Sequence, residues 1–289
     1  MTVHRWSSGD PALLNSACSR SRVWPRSRRC GACLLLFFAA ICSMEHVQAQ
    51  DRWEPGIADA RLRVCIWPDY RGISFRDPRS GELSGIDIDL ARAFAADLGK
   101  VLEFVDSSFS RLVADVQGNR CDVAMFGVGM TQERAAALAF SQPYLASDIY
   151  AIALRSQARI RNWDDIDQPQ AVVAVARGTL HEAWMPRVMQ RAQMVVLDTP
   201  AAREQEVQSG RADVFLTDYP FASHLVREAR WAQLIAPPRT MQLTRYAYAT
   251  RPALPRWTAR VDRFVSDIKR DGRLRAAATA HGLETIIQP

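Results

Sequence analysis

From residue 62 onward, short apolar runs rich in strand formers alternate with stretches whose apolar residues recur at helical spacing. "LRVCIW" (62–67), "LEFVD" (102–106) and "CDVAMFG" (121–127) read as buried strands. Between them, "DIDLARAFAADLG" (87–99) places Ile88, Ala91, Phe94, Ala95 and Leu98 on one helical face, with Gly99 as a stop signal. "FSRLVADVQGN" (109–119) reads as a helix ending near Gly118. A third helix is expected after the N-cap candidate Thr131, through the Ala-rich run that contains Arg134. This β-α-β-α-β-α order predicts a mostly parallel, helix-covered sheet.

A second run of the same kind follows. Strands are expected at 171–176, 194–198 and 212–218, and helices at 179–192, 200–210 and 219–229, with Pro186 kinking or shortening the first helix. "VQGNRCDVAMFG" and "VQSGRADVFLTD" share one build, helix end, Gly, Arg, Asp-Val strand, which predicts two related lobes. "YAIALR" (150–155) and "YAYATR" (246–251) read as two extended crossings that pair into a hinge. Helices at 255–270 and 272–281 close the chain. The predicted fold class is α/β: two lobes, each a mostly parallel sheet covered by helices, joined by a two-strand hinge. Residues 50–150 with 247–289 form one lobe and 151–246 the other. Strand carboxyl ends should face the cleft between them.

The first 49 residues differ from the rest. A basic block (Arg20, Arg22, Arg26, Arg28, Arg29) precedes the apolar "CGACLLLFFAAIC" (30–42), which is short for a bilayer span, and "VQAQ" (47–50) offers a cleavage site after Ala49. This predicts a secretory signal peptide and a periplasmic product; a membrane anchor is the alternative. Removing it takes away six arginines and two acids, so the net charge of +6 falls by four, to +2. The basic balance therefore belongs to the leader and gives no argument for a nucleic-acid partner. Four of the six cysteines leave with it. Cys65 and Cys121 remain, an even pair in an oxidising setting, which predicts a disulfide; two buried thiols are the alternative. His181, His224 and His281 show no ligand spacing, so neither metal nor cofactor is expected.

Three phrases carry a resemblance. "LSGIDIDLARAFAADLG" (83–99), "TQERAAALAFSQPY" (131–144) and "SGRADVFLTDYPFA" (209–222), in this order and spacing, resemble the signatures of bacterial extracellular solute-binding proteins of family 3. These are the amino acid-binding components of ABC importers. The resemblance implies a monomer that binds an amino acid-like small molecule in the cleft and hands it to a membrane permease. Arg134 would clamp the ligand carboxylate, because a guanidinium fork matches it bidentately. Thr179 and Leu180, opening a helix after Gly178, would offer backbone N–H groups to an anion. Asp218 would accept the ammonium, although Asp before Tyr-Pro is also a good N-cap. Tyr70 and Phe109 would wall the ligand side chain. Gly127 and Gly129 would contribute backbone alone, and Gly129 stands where members of the family usually carry Ser or Thr. Trp67 stands where members with cationic ligands carry Asp, which favours an apolar ligand or a filled pocket.

Two other functions compete. The same fold hosts lyases and dehydratases acting on small carboxylates, for which His181 and Glu182 are the candidate proton carriers beside the anion site. It also resembles accessory components of periplasmic quinoprotein dehydrogenases, which carry a Cys where Cys121 stands.

Overall fold

In the computed structural model, residues 60–289 are described; the expected signal peptide lies outside them. The chain opens with β1 (Arg61–Ile66), the short strands β2 (Asp69–Tyr70), β3 (Ser74–Arg76) and β4 (Leu83–Ser84), and helix α1 (Ile86–Leu98). Then come β5 (Val101–Asp106), α2 (Leu112–Gln117), β6 (Val123–Ala124), α3 (Gln132–Ala135), β7 (Ala139–Phe140), β8 (Leu145–Ser147) and β9 (Ile149–Leu154). The second half runs β10 (Val172–Ala176), α4 (Leu180–Trp184), β11 (Gln193–Leu197), α5 (Pro200–Gln208), β12 (Val214–Asp218), α6 (Tyr219–Glu228) and β13 (Ala232–Ile235). It ends with β14 (Thr244–Tyr246), β15 (Ala249–Thr250), α7 (Pro255–Asp271) and α8 (Arg273–Ala280).

Two five-stranded sheets result. Their orders are β5-β1-β6-β15-β7 and β11-β10-β12-β9-β13. In each, three parallel strands take antiparallel neighbours on one side. The inner parallel strands β1, β10 and β12 are largely buried apolar runs, whereas the edge strands β5 and β11 stay partly exposed. α1 buries Ile86, Ile88, Leu90, Ala91 and Phe94 and stops at Gly99 in the left-handed region. Phe94 packs on Trp257 and Phe264 of α7, which ties the C-terminal helices to the first sheet. Cys65, on β1, and Cys121, ahead of β6, are joined by a disulfide.

Three expectations change. The run after Thr131 is helical for one turn only. Ala139–Phe140 pairs with β15 instead, and Leu138 is buried between. The 179–192 stretch is helical over Leu180–Trp184, and a single 3-10 turn at Met185–Arg187 carries Pro186. The pairing of "YAIALR" with "YAYATR" is not made. β9 is an inner strand of the second sheet, between β12 and β13, and β15 sits in the first. The two-stranded ladder is β8 with β14, with Leu145 opposite Tyr246 and Ser147 opposite Thr244. It lies a few residues earlier than the echo between the two phrases suggested, because apolar β9 gains more by burial inside a sheet than at a crossing.

Candidate functional site

The first lobe brings its residues from the ends of its parallel strands. Trp67 follows β1, Tyr70 ends β2 and Phe109 follows β5. Their rings meet edge to face at 4.9 to 5.9 Å between centroids. Gly127 and Gly129 follow β6. The N–H of Gly127 donates to Asp87 Oδ2 at 2.8 Å, and Asp87 also accepts from the hydroxyls of Tyr144 and Tyr248. Thr131 caps α3 as expected, its Oγ1 accepting from the Arg134 N–H at 3.2 Å. From the third helical position the Arg134 side chain turns back. Nη1 donates to Gly129 O and Nη2 to Gly178 O, both at 3.0 Å, and the guanidinium lies 4.9 Å from the Phe109 ring centre.

The absent side chain at Gly129 has a local cause. Its backbone is ordinary, but a Cβ there would stand 2.8 Å from Thr244 Cγ2 and 3.4 Å from Arg134 Nη1. Thr244 crowds the place of that Cβ, and its own hydroxyl donates to Gln242 O at 3.3 Å.

The second lobe faces this with the turn after β10. Gly178 has φ of +75°, and a Cβ on it would collide with the Ser110 backbone at 2.4 Å, so only glycine lets the lobes approach here. Thr179 is at the N-cap of α4 but does not cap: its hydroxyl donates to Ala176 O at 2.6 Å and its N–H to the same oxygen at 3.3 Å. Only Leu180, of the two N–H groups expected to face an anion, is therefore left for that role. The carboxylate of Glu182 reaches back and accepts the Gly178 N–H at 2.5 Å. Asp218 ends β12. Its Oδ1 accepts from the Phe221 N–H, which is the N-cap of α6. Its Oδ2 accepts from Tyr246 at 2.5 Å and from Tyr70, whose hydroxyl crosses from the other lobe.

Burial sets the electrostatics. It pushes the Arg134 guanidinium down to about 10, with Tyr70 and Glu133 opposing, and Arg134 stays charged at neutral pH. It raises the Asp218 carboxyl, against the hydrogen bonds from Tyr246 and Tyr70. It pushes His181 down to about 3, helped by the neighbouring Arg203 charge, so the imidazole is neutral.

Trp67, Tyr70, Phe109, Gly127, Gly129, Arg134, Thr179, Leu180 and Asp218 all line one cavity of about 40 Å³. It opens toward a wider hollow of about 790 Å³ that shares Phe109, Arg134, Thr179, Leu180 and Thr244. Sequence reasoning missed Tyr246, Thr244 and Arg203, which also line the cavity. Tyr246 reads from the sequence as part of a hinge strand. Arg203 was one polar residue in a polar helix, and no pattern in the sequence marked it. Among the described residues no cluster of three metal-ligating side chains occurs, and no helix is long and apolar enough to cross a membrane.

Two α/β lobes with strand ends and helix starts converging on an interlobe cleft, a buried arginine on one wall and a buried aspartate on the other, define a two-lobed solute-binding architecture. Within that class the assignment is specific: the chain belongs to the bacterial extracellular solute-binding proteins, family 3, whose model matches residues 62–283. It is similar to cyclohexadienyl dehydratase of Pseudomonas aeruginosa, 31% identical over 188 residues, covering 65% of this chain and 68% of that enzyme. It is also similar to the L-cystine-binding protein TcyJ of Escherichia coli, 27% identical over 168 residues, covering 58% of this chain and 62% of that protein. Among solved structures, the ancestral amino acid-binding protein AncCDT-1, a precursor of cyclohexadienyl dehydratase, superposes with a TM-score of 0.71 at 29% identity, covering 76% of this chain and 95% of its own.

Proposed function

We propose that the mature protein is a monomeric periplasmic binding protein that captures an amino acid or related small carboxylate and delivers it to an ABC permease. One observation carries this reading: Arg134 and Asp218, buried on opposite walls, line the same cavity. The guanidinium has five N–H groups and gives two to carbonyls. The remaining donors suit a carboxylate, and Asp218 suits an ammonium. Trp67, Tyr70 and Phe109 would wall the side chain, and the backbone at Gly127, Gly129 and Leu180 would complete the shell. About 40 Å³ accommodates about three waters, fewer atoms than an amino acid has, so binding is coupled to parting of the lobes. The lobes are proposed to be 50–150 with 247–289 and 151–246, bending at the β8–β14 ladder.

Thermal denaturation with and without a panel of α-amino acids tests this. A ligand should raise the melting temperature by mass action, and Arg134→Ala should remove the rise. Undiminished binding in that variant would remove the carboxylate clamp.

A second reading, a dehydratase, is favoured by the similarity to cyclohexadienyl dehydratase. Loss of water from a cyclohexadienyl acid needs a proton donor at the leaving hydroxyl. His181 lines the cavity but is neutral, and the Glu182 carboxylate is turned onto the Gly178 N–H. Glu182 is held on the Gly178 N–H and the His181 imidazole is uncharged, so binding without turnover is the preferred reading. Release of an aromatic product from prephenate-like or arogenate-like compounds, followed by ultraviolet absorbance, would reverse that preference.

A further inference from the structure

α5 buries three residues, Pro200, Arg203 and Val207, at the spacing of one helical stripe. An apolar side chain is the default at the middle position, because a buried guanidinium loses its hydration. Arg203 is 2% exposed and still lines the cavity that holds Arg134 and Asp218. Its guanidinium lies over Phe215 and Phe221, 4.9 and 5.0 Å from the ring centres. Nη1 donates to Leu216 O at 2.6 Å. Nε–H, which with Nη2 makes the side-on fork of the group, has no partner among the described residues.

The acids whose charges act on it, Glu204, Asp218 and Asp69, give it no hydrogen bond. Glu204 faces Arg71 at 4.0 Å. Asp218 is taken by Tyr70, Tyr246 and the Phe221 N–H. Asp148, also on the cavity wall, accepts the backbone N–H groups of Ile149, Met241 and Gln242. His181, on the same wall, has an unpartnered Nδ1. The second lobe thus keeps, in two side chains that line the cavity, a buried guanidinium Nε–H and a buried imidazole nitrogen without partners among the described residues.

We infer that Arg203 is a second anion-binding group of this cleft, and that the solute carries two acidic groups, one for Arg134 and one for Arg203. The inference rests on the binding-protein reading above and narrows its ligand class to dicarboxylates. The flanking rings fix the plane of the guanidinium, and the Leu216 carbonyl fixes its rotation, so its Nε edge is held ready for a carboxylate. A purely structural Arg203, bracing β12 through Leu216, would need neither the cavity position nor the free fork.

Isothermal titration calorimetry on the mature protein separates these roles. The probes are L-aspartate, L-glutamate, L-2-aminoadipate, succinate and glutarate, each against its side-chain or terminal amide. In at least one pair the acid should bind more tightly than the amide by about 30-fold or more, the scale of a buried charge left unpaired. Arg203→Met should bring that ratio close to one, and Arg203→Lys, which keeps the charge but not the fork, should leave an intermediate ratio. Equal or weaker binding of the acid in every pair overturns the inference on wild-type protein alone. An unchanged ratio in a folded Arg203→Met variant does the same. If amides bind and Arg134→Ala abolishes that binding, the first reading stands and only this one falls. If no probe binds, this inference falls, and the α-amino acid panel above decides the first reading.

Discussion

Asp87 offers the sharpest test of how the first lobe holds its half of the cleft. It is fully buried and accepts from the Gly127 N–H at 2.8 Å and from the hydroxyls of Tyr144 and Tyr248 at 2.6 and 3.1 Å. Burial is the larger influence, and it raises the carboxyl to about 6 from 3.8 despite the three donors. A carboxyl held higher in the folded state than in the unfolded one binds its proton more tightly when folded. Its contribution to stability is therefore complete below about pH 3.8 and is lost as pH rises through about 6. The full span is worth about 3 kcal/mol, and the part between about pH 4.5 and about pH 7.5 is about 2 kcal/mol. Asp87→Asn removes the titration and keeps an oxygen for Gly127 and Tyr144; the Tyr248 hydroxyl rotates to accept from the new amide. Urea denaturation of both proteins across that range isolates the group, because other titrations cancel in the difference. Wild type should lose about 2 kcal/mol relative to Asp87→Asn as pH rises. A difference that stays flat, or that grows in favour of wild type, would show that the three donors outweigh burial and would refute the reasoning.

Other outcomes follow from the same geometry. Gly129→Ser should cost about 1–3 kcal/mol through its collision with Thr244 Cγ2, and Thr244→Ala in the same chain should recover most of it; additive costs in a double-mutant cycle would show the two do not share space. Reducing Cys65–Cys121 opens a link between residues 56 apart and should cost about 4 kcal/mol by chain entropy, read as a fall in urea midpoint with dithiothreitol. Gly178→Ala should weaken closure, since its Cβ meets the Ser110 backbone of the other lobe at 2.4 Å; small-angle scattering should report a larger radius of gyration, and an unchanged radius would count against a closure role.

The sequence-based reading reached the cleft through local chemistry and failed where packing decides. Thr131, Arg134 and Asp218 were legible because caps and strand ends are local events, and each occupies its expected place. The length of α3 was not legible. "AAALAF" has high helix propensity, yet Ala139 and Phe140 gain a sheet partner in β15, a hundred residues on. The pairing of "YAIALR" with "YAYATR" failed for a similar reason: the phrases look alike, but β9 fits between β12 and β13, and no local pattern announces β13 or that pairing. Arg203 was invisible because "PAAREQEVQ" reads as a solvated helix. Only the folding of Phe215 and Phe221 over it turns that face inward.

These late-found residues change how the site is understood. Asp218 has four acceptor positions and uses three, two of them on tyrosines whose burial and proximity to that carboxylate hold their protons on. One position remains for an ammonium, so a solute need not strip the tyrosines away. The Tyr70 hydroxyl crosses between lobes, as does the bond from Arg134 to Gly178 O. Each lobe therefore spends part of its binding chemistry on the other. A ligand too large for the present cavity parts the lobes on entry, and those contacts return as the lobes close over it, so its affinity reflects walls already oriented. On this view Tyr70→Phe should weaken binding by loosening closure while leaving the order of preference among amino acids unchanged. A reordered preference would make Tyr70 a selecting contact and would place the ammonium elsewhere than on Asp218.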